Sequence, residues 1–182
     1  MDSPTQIKEV PVSVFIAVSI VVIFSLYAST AIKTIPCGKD VMSMFYSHFV
    51  HIDLYHLLSN LFALYALSRV EIAIGGKQFT ALIVFLLLFL VVVESIGHKI
   101  FPGLPCSIGF SGVLFGIAAW EMITNKGFDW LVILSLIVMI AGPTIKNPKV
   151  SLLGHSVGAM AGVVAALLWS KLAPVLKLGN GP

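Results

Sequence analysis

The sequence predicts an all-α, polytopic membrane protein built as a six-helix bundle. Three observations carry that prediction. Of 182 residues, 58% are hydrophobic and 10% charged, against about 25% charged in a soluble domain. The mean hydropathy is +1.03. Six apolar segments alternate with short polar or Gly/Pro-containing connectors. No long polar stretch leaves room for a second, soluble domain. The net charge of +3 is spread along the chain without a basic run, which argues against a nucleic-acid partner. Two cysteines, Cys37 and Cys106, are too few for a disulfide framework.

The elements follow in order. Residues 1–9 form a short polar tail, residues 10–172 the membrane domain, and residues 173–182 a Gly/Pro-containing tail. Span 1 covers 10–32; it exceeds the apolar core of a signal peptide and no cleavage site follows, so it reads as a retained span. A loop with Pro36 and Gly38 follows. Residues 42–54, with His48, His51 and Asp53, read as an interfacial segment entering a helix. Span 2 covers 55–74 and is ended by Gly75-Gly76-Lys77. Span 3, 79–96, is the most uniformly apolar and so the most lipid-facing by expectation. Span 4 covers 108–123, span 5 covers 130–141 up to Gly142-Pro143, and span 6 covers 150–168. Spans 4 and 5 are short against the roughly 20 residues a bilayer requires. Burial in a bundle or local thinning accommodates them.

Six spans place loops 1, 3 and 5 on one side of the membrane. Helices 2, 4 and 6 all start from that side. His56 and Asn60 then fall in the first turns of helix 2, Ser111 in the first turn of helix 4 and His155 near the start of helix 6. These polar residues share one shallow depth below one face. The orientation of that face is weakly coded. Six Lys/Arg lie on the N-terminal side and five on the other, and the positive-inside rule favours a cytosolic N-terminus by a single charge.

Ser111 lies in Gly109-Phe110-Ser111-Gly112, with Gly116 one turn on. The glycines clear side chains from around it, and a helix start offers free N–H groups and the positive dipole end, which suit an oxyanion. Packing by small residues is the plainer account of the same serine. His155 is an ionisable group within a span, a functional signal by default, although a structural histidine bonded to a carbonyl is the alternative. Gly154, Gly158 and Gly162 form a small-residue row that matches Gly112 and Gly116. Close approach of helices 4 and 6 would bring Ser111 within hydrogen-bond reach of His155, as an activated nucleophile requires. His56 and Asn60, four apart, share a helical face. Both donate hydrogen bonds without a fixed charge, which suits an oxyanion clamp.

No acid completes a triad. Glu121 lies ten residues beyond Ser111, about 15 Å along the helix, and Asp53 has no evident place beside His155. A Ser–His dyad needs no cofactor. No metal site is expected either, because His48, His51 and His56 match no zinc spacing. His51 reads as orienting its neighbours, and His48 and His98 as interfacial. Glu71 and Glu94 read as helix-end caps or interhelical bonds on the N-terminal side, and Glu71 with Arg69 and Lys77 would tie the loop after span 2.

These motifs resemble the rhomboid family of intramembrane serine proteases. The Gly-x-Ser-Gly nucleophile motif is matched at Gly109, Ser111 and Gly112. His-x-x-Gly-x-x-x-Gly is matched at His155, Gly158 and Gly162, and His-x-x-x-x-His-x-x-x-Asn at His51, His56 and Asn60. The Trp-Arg pair common in the first loop is absent, and Gly-x-x-Glu stands as Ser68-x-x-Glu71. The string Gly-Phe-Ser-Gly-Val-Leu-Phe is similar to endomembrane rhomboids. The resemblance implies a serine endopeptidase of the ER/Golgi or plasma membrane, acting on transmembrane segments of membrane-protein partners. Ser111 would be its nucleophile, His155 its base, and the Ser111 N–H, His56 and Asn60 its oxyanion donors. Its substrates would have easily unwound helices and a small residue before the scissile bond. Two other classes compete. A silent relative that binds transmembrane helices would not need Ser111 and His155. A small transporter would show inverted repeats, and none is evident.

Overall fold

The computed structural model describes residues 10–32, 40–127, 129–146 and 151–175. The expected polar tail 1–9, most of the first loop with Cys37, the loop at 147–149 and the last residues of the C-terminal tail lie outside them. Seven helices form among the described residues: α1 Pro11–Ala28, α2 Val41–Ser47, α3 Leu54–Ile74, α4 Gly76–Ile100, α5 Ser111–Lys126, α6 Trp130–Lys146 and α7 Leu152–Val175. The protein is a multi-pass helical membrane bundle. Pro11–Ala28, Leu54–Ile74, Gly76–Ile100 and Leu152–Trp169 are long and apolar enough to cross a membrane; the apolar stretch of α6, Trp130–Gly142, is shorter.

The bundle is organised around α4. Phe79, Leu82, Leu86 and Leu90 are buried at helical spacing along one side of it. They join Ile16, Leu64, Ile117 and Ala165 from the surrounding helices in one core. This corrects the expectation that span 3 is the most lipid-facing. In α4, 39% of the apolar window is buried, against 17% in α1. Uniform apolarity cannot tell a lipid contact from a helix contact, because both environments reward the same side chains.

The tightest contact joins α5 to α7. A side-chain carbon at Gly158 would collide with the Gly112 carbonyl oxygen, and one at Gly162 with that of Gly116. The backbones therefore touch directly, as the matched glycine rows predict. A second tie joins α3 to α5, where Arg69 donates from Nε and Nη2 to the two carboxylate oxygens of Glu121, both at 2.9 Å.

Several local features depart from expectation. Glu71 is a helix cap joining two helices, as expected, but it acts at the start of α1 and not on the loop after span 2, and Arg69 pairs with Glu121 instead. Glu71 is fully buried and accepts from the N–H groups of Val12 and Ser13 at 2.8 Å and from Ser13 Oγ at 2.7 Å. It thus caps the start of α1, where free N–H groups and the helix dipole favour an anion. Gly75, at φ 81°, closes α3 and opens α4, so the break between them is one residue, not a loop. Helix α6 runs through Gly142-Pro143 to Lys146. Proline removes one backbone bond, which a helix in a bundle tolerates. Cys106 is disulfide-bonded, although the cysteine count had argued against a disulfide framework.

Candidate active site

The site is built from three segments meeting near the start of α5. The connector 101–110 delivers Gly109 beside the end of α2, where its N–H donates to the Ser47 carbonyl at 3.0 Å. Gly109 has φ 100°, a conformation that suits glycine. A side chain there would also come within 2.5 Å of His56 Cε1. Gly109 is thus the floor on which the His56 imidazole rests. Phe110 is fully buried and packs on Phe49 with ring centroids 5.7 Å apart. That anchor fixes the residue immediately before the serine.

Ser111 is the first residue of α5, and no side chain caps this helix. Its first N–H groups are therefore available to an incoming oxygen. His155 is the fourth residue of α7. Its Nε2 lies 3.2 Å from Ser111 Oγ. The ring is 5% exposed and stacks on Phe115 at 4.0 Å with an interplanar angle of 21°. Phe115 lies four residues after Ser111, so one face of α5 carries both the hydroxyl and the surface that orients the imidazole. Among the described residues, His155 Nδ1 has no hydrogen-bond partner, and stacking on Phe115 is what orients the ring. The carboxylates considered as triad acids are committed elsewhere. Glu121 pairs with Arg69, and Asp53 is the N-cap of α3, accepting from the His56 N–H at 2.7 Å.

A cavity of about 20 Å³ adjoins the serine, lined in part by His48, Ser107, Ser111, Ser151, Gly154 and His155. That is room for about one water molecule. His56 and Asn60 lie outside this lining. His56 is within electrostatic range of His155. Asn60 is buried; its Nδ2 donates to the His56 carbonyl at 2.8 Å, and its side chain also faces the His51 ring.

The rhomboid domain model matches residues 38–172 of the chain. The chain belongs to the rhomboid family. A rhomboid-named protein of Acanthamoeba polyphaga mimivirus, L523, is 29% identical over 133 residues, covering 72% of this chain and 77% of its own length.

Within this rhomboid bundle, several neighbours of the site escaped the sequence reading. His48 is not interfacial but 1% exposed, and it lines the cavity. Burial pushes its imidazole down to about 4. His51 is fully buried, with its ring edge-on to His56 at 4.9 Å. Burial, and secondarily the nearby His56, push it also to about 4. Ser107 and Ser151 line the cavity and had no motif to reveal them. Phe115 was legible as the i+4 neighbour of Ser111. Glu94 lies on the side of the site and not on the N-terminal side, because its Oε1 accepts from the Ser107 N–H at 2.9 Å. Among the described residues no group of three or more His, Cys, Asp or Glu is placed to hold a metal ion.

Proposed function

We propose that this rhomboid is an intramembrane serine endopeptidase that cleaves transmembrane segments of other membrane proteins. The observation that supports it most is the 3.2 Å approach of His155 Nε2 to Ser111 Oγ. That is the edge of hydrogen-bond reach, as is common before substrate tightens a site. Ser111 Oγ attacks the scissile carbonyl carbon while His155 Nε2 takes its proton. The carbonyl π-electrons move onto oxygen. The resulting oxyanion is met by the Ser111 N–H at the uncapped start of α5, with His56 and Asn60 as side-chain donors. His155 then returns the proton to the departing amine, the C–N bond breaks, and an acyl-enzyme remains. Water, deprotonated by His155, attacks the acyl carbon and releases the carboxylate product and free Ser111. The Asn60 amide keeps one N–H beyond its bond to the His56 carbonyl, which is the donor available to the oxyanion.

In this reading α5 and α6 cross the membrane with the four longer helices, giving six spans, and the dyad opens on the side of loops 1, 3 and 5. The Cys106 disulfide supports an oxidising compartment on that side. An endomembrane lumen or the cell exterior satisfies this, with the N-terminus in the cytosol. A silent helix-binding relative would have no need of a hydroxyl and an imidazole held in contact.

A fluorophosphonate probe tests the proposal. Wild type should label, and Ser111→Ala should not. Both Ser111→Ala and His155→Ala should abolish cleavage of a transmembrane reporter while the protein stays folded. Full cleavage by either variant would refute the dyad.

A further inference from the structure

The catalytic scheme leaves one largely enclosed carboxylate near the site without a role. Glu94 lies on α4 about 10% exposed. An acid within a membrane helix is costly and calls for partners. Three groups surround it. Its Oε1 accepts from the Ser107 N–H at 2.9 Å and lies 3.7 Å from His98 Nε2. Its Oε2 lies 3.8 Å from His48 Nε2. The carboxylate therefore joins α4, the connector after α2 and the segment entering α5.

That segment is short and is held by hydrogen bonds at Ser107 and Gly109, by the packing of Phe110 on Phe49 and by the Cys106 disulfide; Glu94 supplies the first of these. Ser107 is held by Glu94, and Gly109 is held by the Ser47 carbonyl. Only Phe110 separates the second tether from Ser111. Ser107 and His48 also line the cavity against Ser111 and His155. Release of Ser107 would remove the hydrogen-bonded tether four residues before the serine and leave that end of the segment to the neighbouring Cys106 disulfide. A displacement of about 1 Å at a nucleophile can cost roughly 10²-fold in rate.

We propose that Glu94 is a positioning residue for the nucleophile: its carboxylate clamps the Ser107 amide and gathers His48 and His98 around it, fixing the segment that carries Ser111 into α5. This rests on the protease reading above. The test compares full-length wild type, Glu94→Leu and Glu94→Gln in proteoliposomes. Three quantities are measured: kcat and KM on a transmembrane reporter, fluorophosphonate labelling, and amide hydrogen exchange over residues 101–110.

Glu94→Leu should lower kcat by roughly 10²-fold with KM nearly unchanged, and should speed exchange in this segment but not across the core. Glu94→Gln keeps an acceptor oxygen and should stay within about fivefold of wild type. If Glu94→Leu does not fold, Ser107→Pro removes the donor and should show the same selective loss of kcat. Wild-type kcat and unchanged exchange in the leucine variant would overturn the clamp, as would a glutamine variant as impaired as the leucine one. A wild type that neither cleaves nor labels would sink the protease reading, and the nucleophile role with it. The exchange data would then still report whether Glu94 tethers Ser107.

Discussion

At the level of single residues, the site depends on what is missing as much as on what is present. Gly109 meets two constraints, a φ of 100° and the His56 ring against its Cα. Gly109→Ala should therefore strain the backbone and displace His56 together. We expect a larger loss of reporter cleavage than Asn60→Ala gives, which should be roughly 10²–10³-fold if Asn60 is an oxyanion donor. A cleavage assay in which Asn60→Ala loses more activity than Gly109→Ala would count against His56 as a donor. The connector histidines make a separate prediction about stability. Burial holds His48 and His51 at about 4, below the ordinary 6.5. Between those values the unfolded chain binds more protons than the folded one. Their contribution is thus complete above pH 6.5 and is lost as pH falls toward 4. At pH 5 each costs on the order of 2 kcal/mol. The thermal midpoint should drop between pH 7 and pH 5, and His48→Gln should drop less over the same interval. Equal slopes for the two proteins would show that His48 titrates normally.

At the level of elements, the α5–α7 contact sets the distance between Ser111 and His155, the proposed nucleophile and base. A methyl group at Gly158 would overlap the Gly112 carbonyl, and the helices would have to separate. Gly158→Val should destabilise the bundle by about 3 kcal/mol or more and abolish fluorophosphonate labelling. Gly154→Ala, whose nearest neighbour would be the Ser151 hydroxyl at 3.2 Å, should be tolerated far better. Labelling that survives Gly158→Val would mean that the dyad does not depend on this contact. The contact was legible in the sequence because glycine rows report close backbones directly. Other elements were less legible, each for a physical reason. The depth of α4 was hidden because Phe79, Leu82 and Leu86 would be equally at home against lipid. Helix α6 outlasted Pro143 because the surroundings of a helix, not its sequence alone, decide whether a lost backbone bond ends it. Asp53 was weighed as a catalytic acid, yet the plainer signal was its place immediately before α3, where an aspartate caps the helix. The places of Ser107, Ser151 and His48 in the cavity wall are not legible, because a wall gathered from three connectors has no spacing to read.

At the level of the whole molecule, charge and chemistry bear unequally on orientation. Six cations against five leave the positive-inside rule nearly silent. Cys106 adds an argument for the proposed orientation, because a disulfide at that position is favoured where the 101–110 connector meets an oxidising compartment. The same connector carries Gly109 into the site, so under the proposed function the compartment facing Cys106 would also supply the hydrolytic water. The far end of α5 must then face the opposite compartment, if α5 spans. Two exposed positions report the two sides. A side chain at Gly103 would enter open space, with no atom within 4 Å of its Cβ, and Asn125 is exposed in the last turn of α5. Each can carry a cysteine in a background lacking Cys37 and Cys106. In sealed microsomes, a membrane-impermeant maleimide should label Asn125→Cys from outside and reach Gly103→Cys only after permeabilisation. Labelling of both before permeabilisation would show that α5 does not span. The reverse pattern would put the dyad on the cytosolic side, where a persistent disulfide at Cys106 would not be expected.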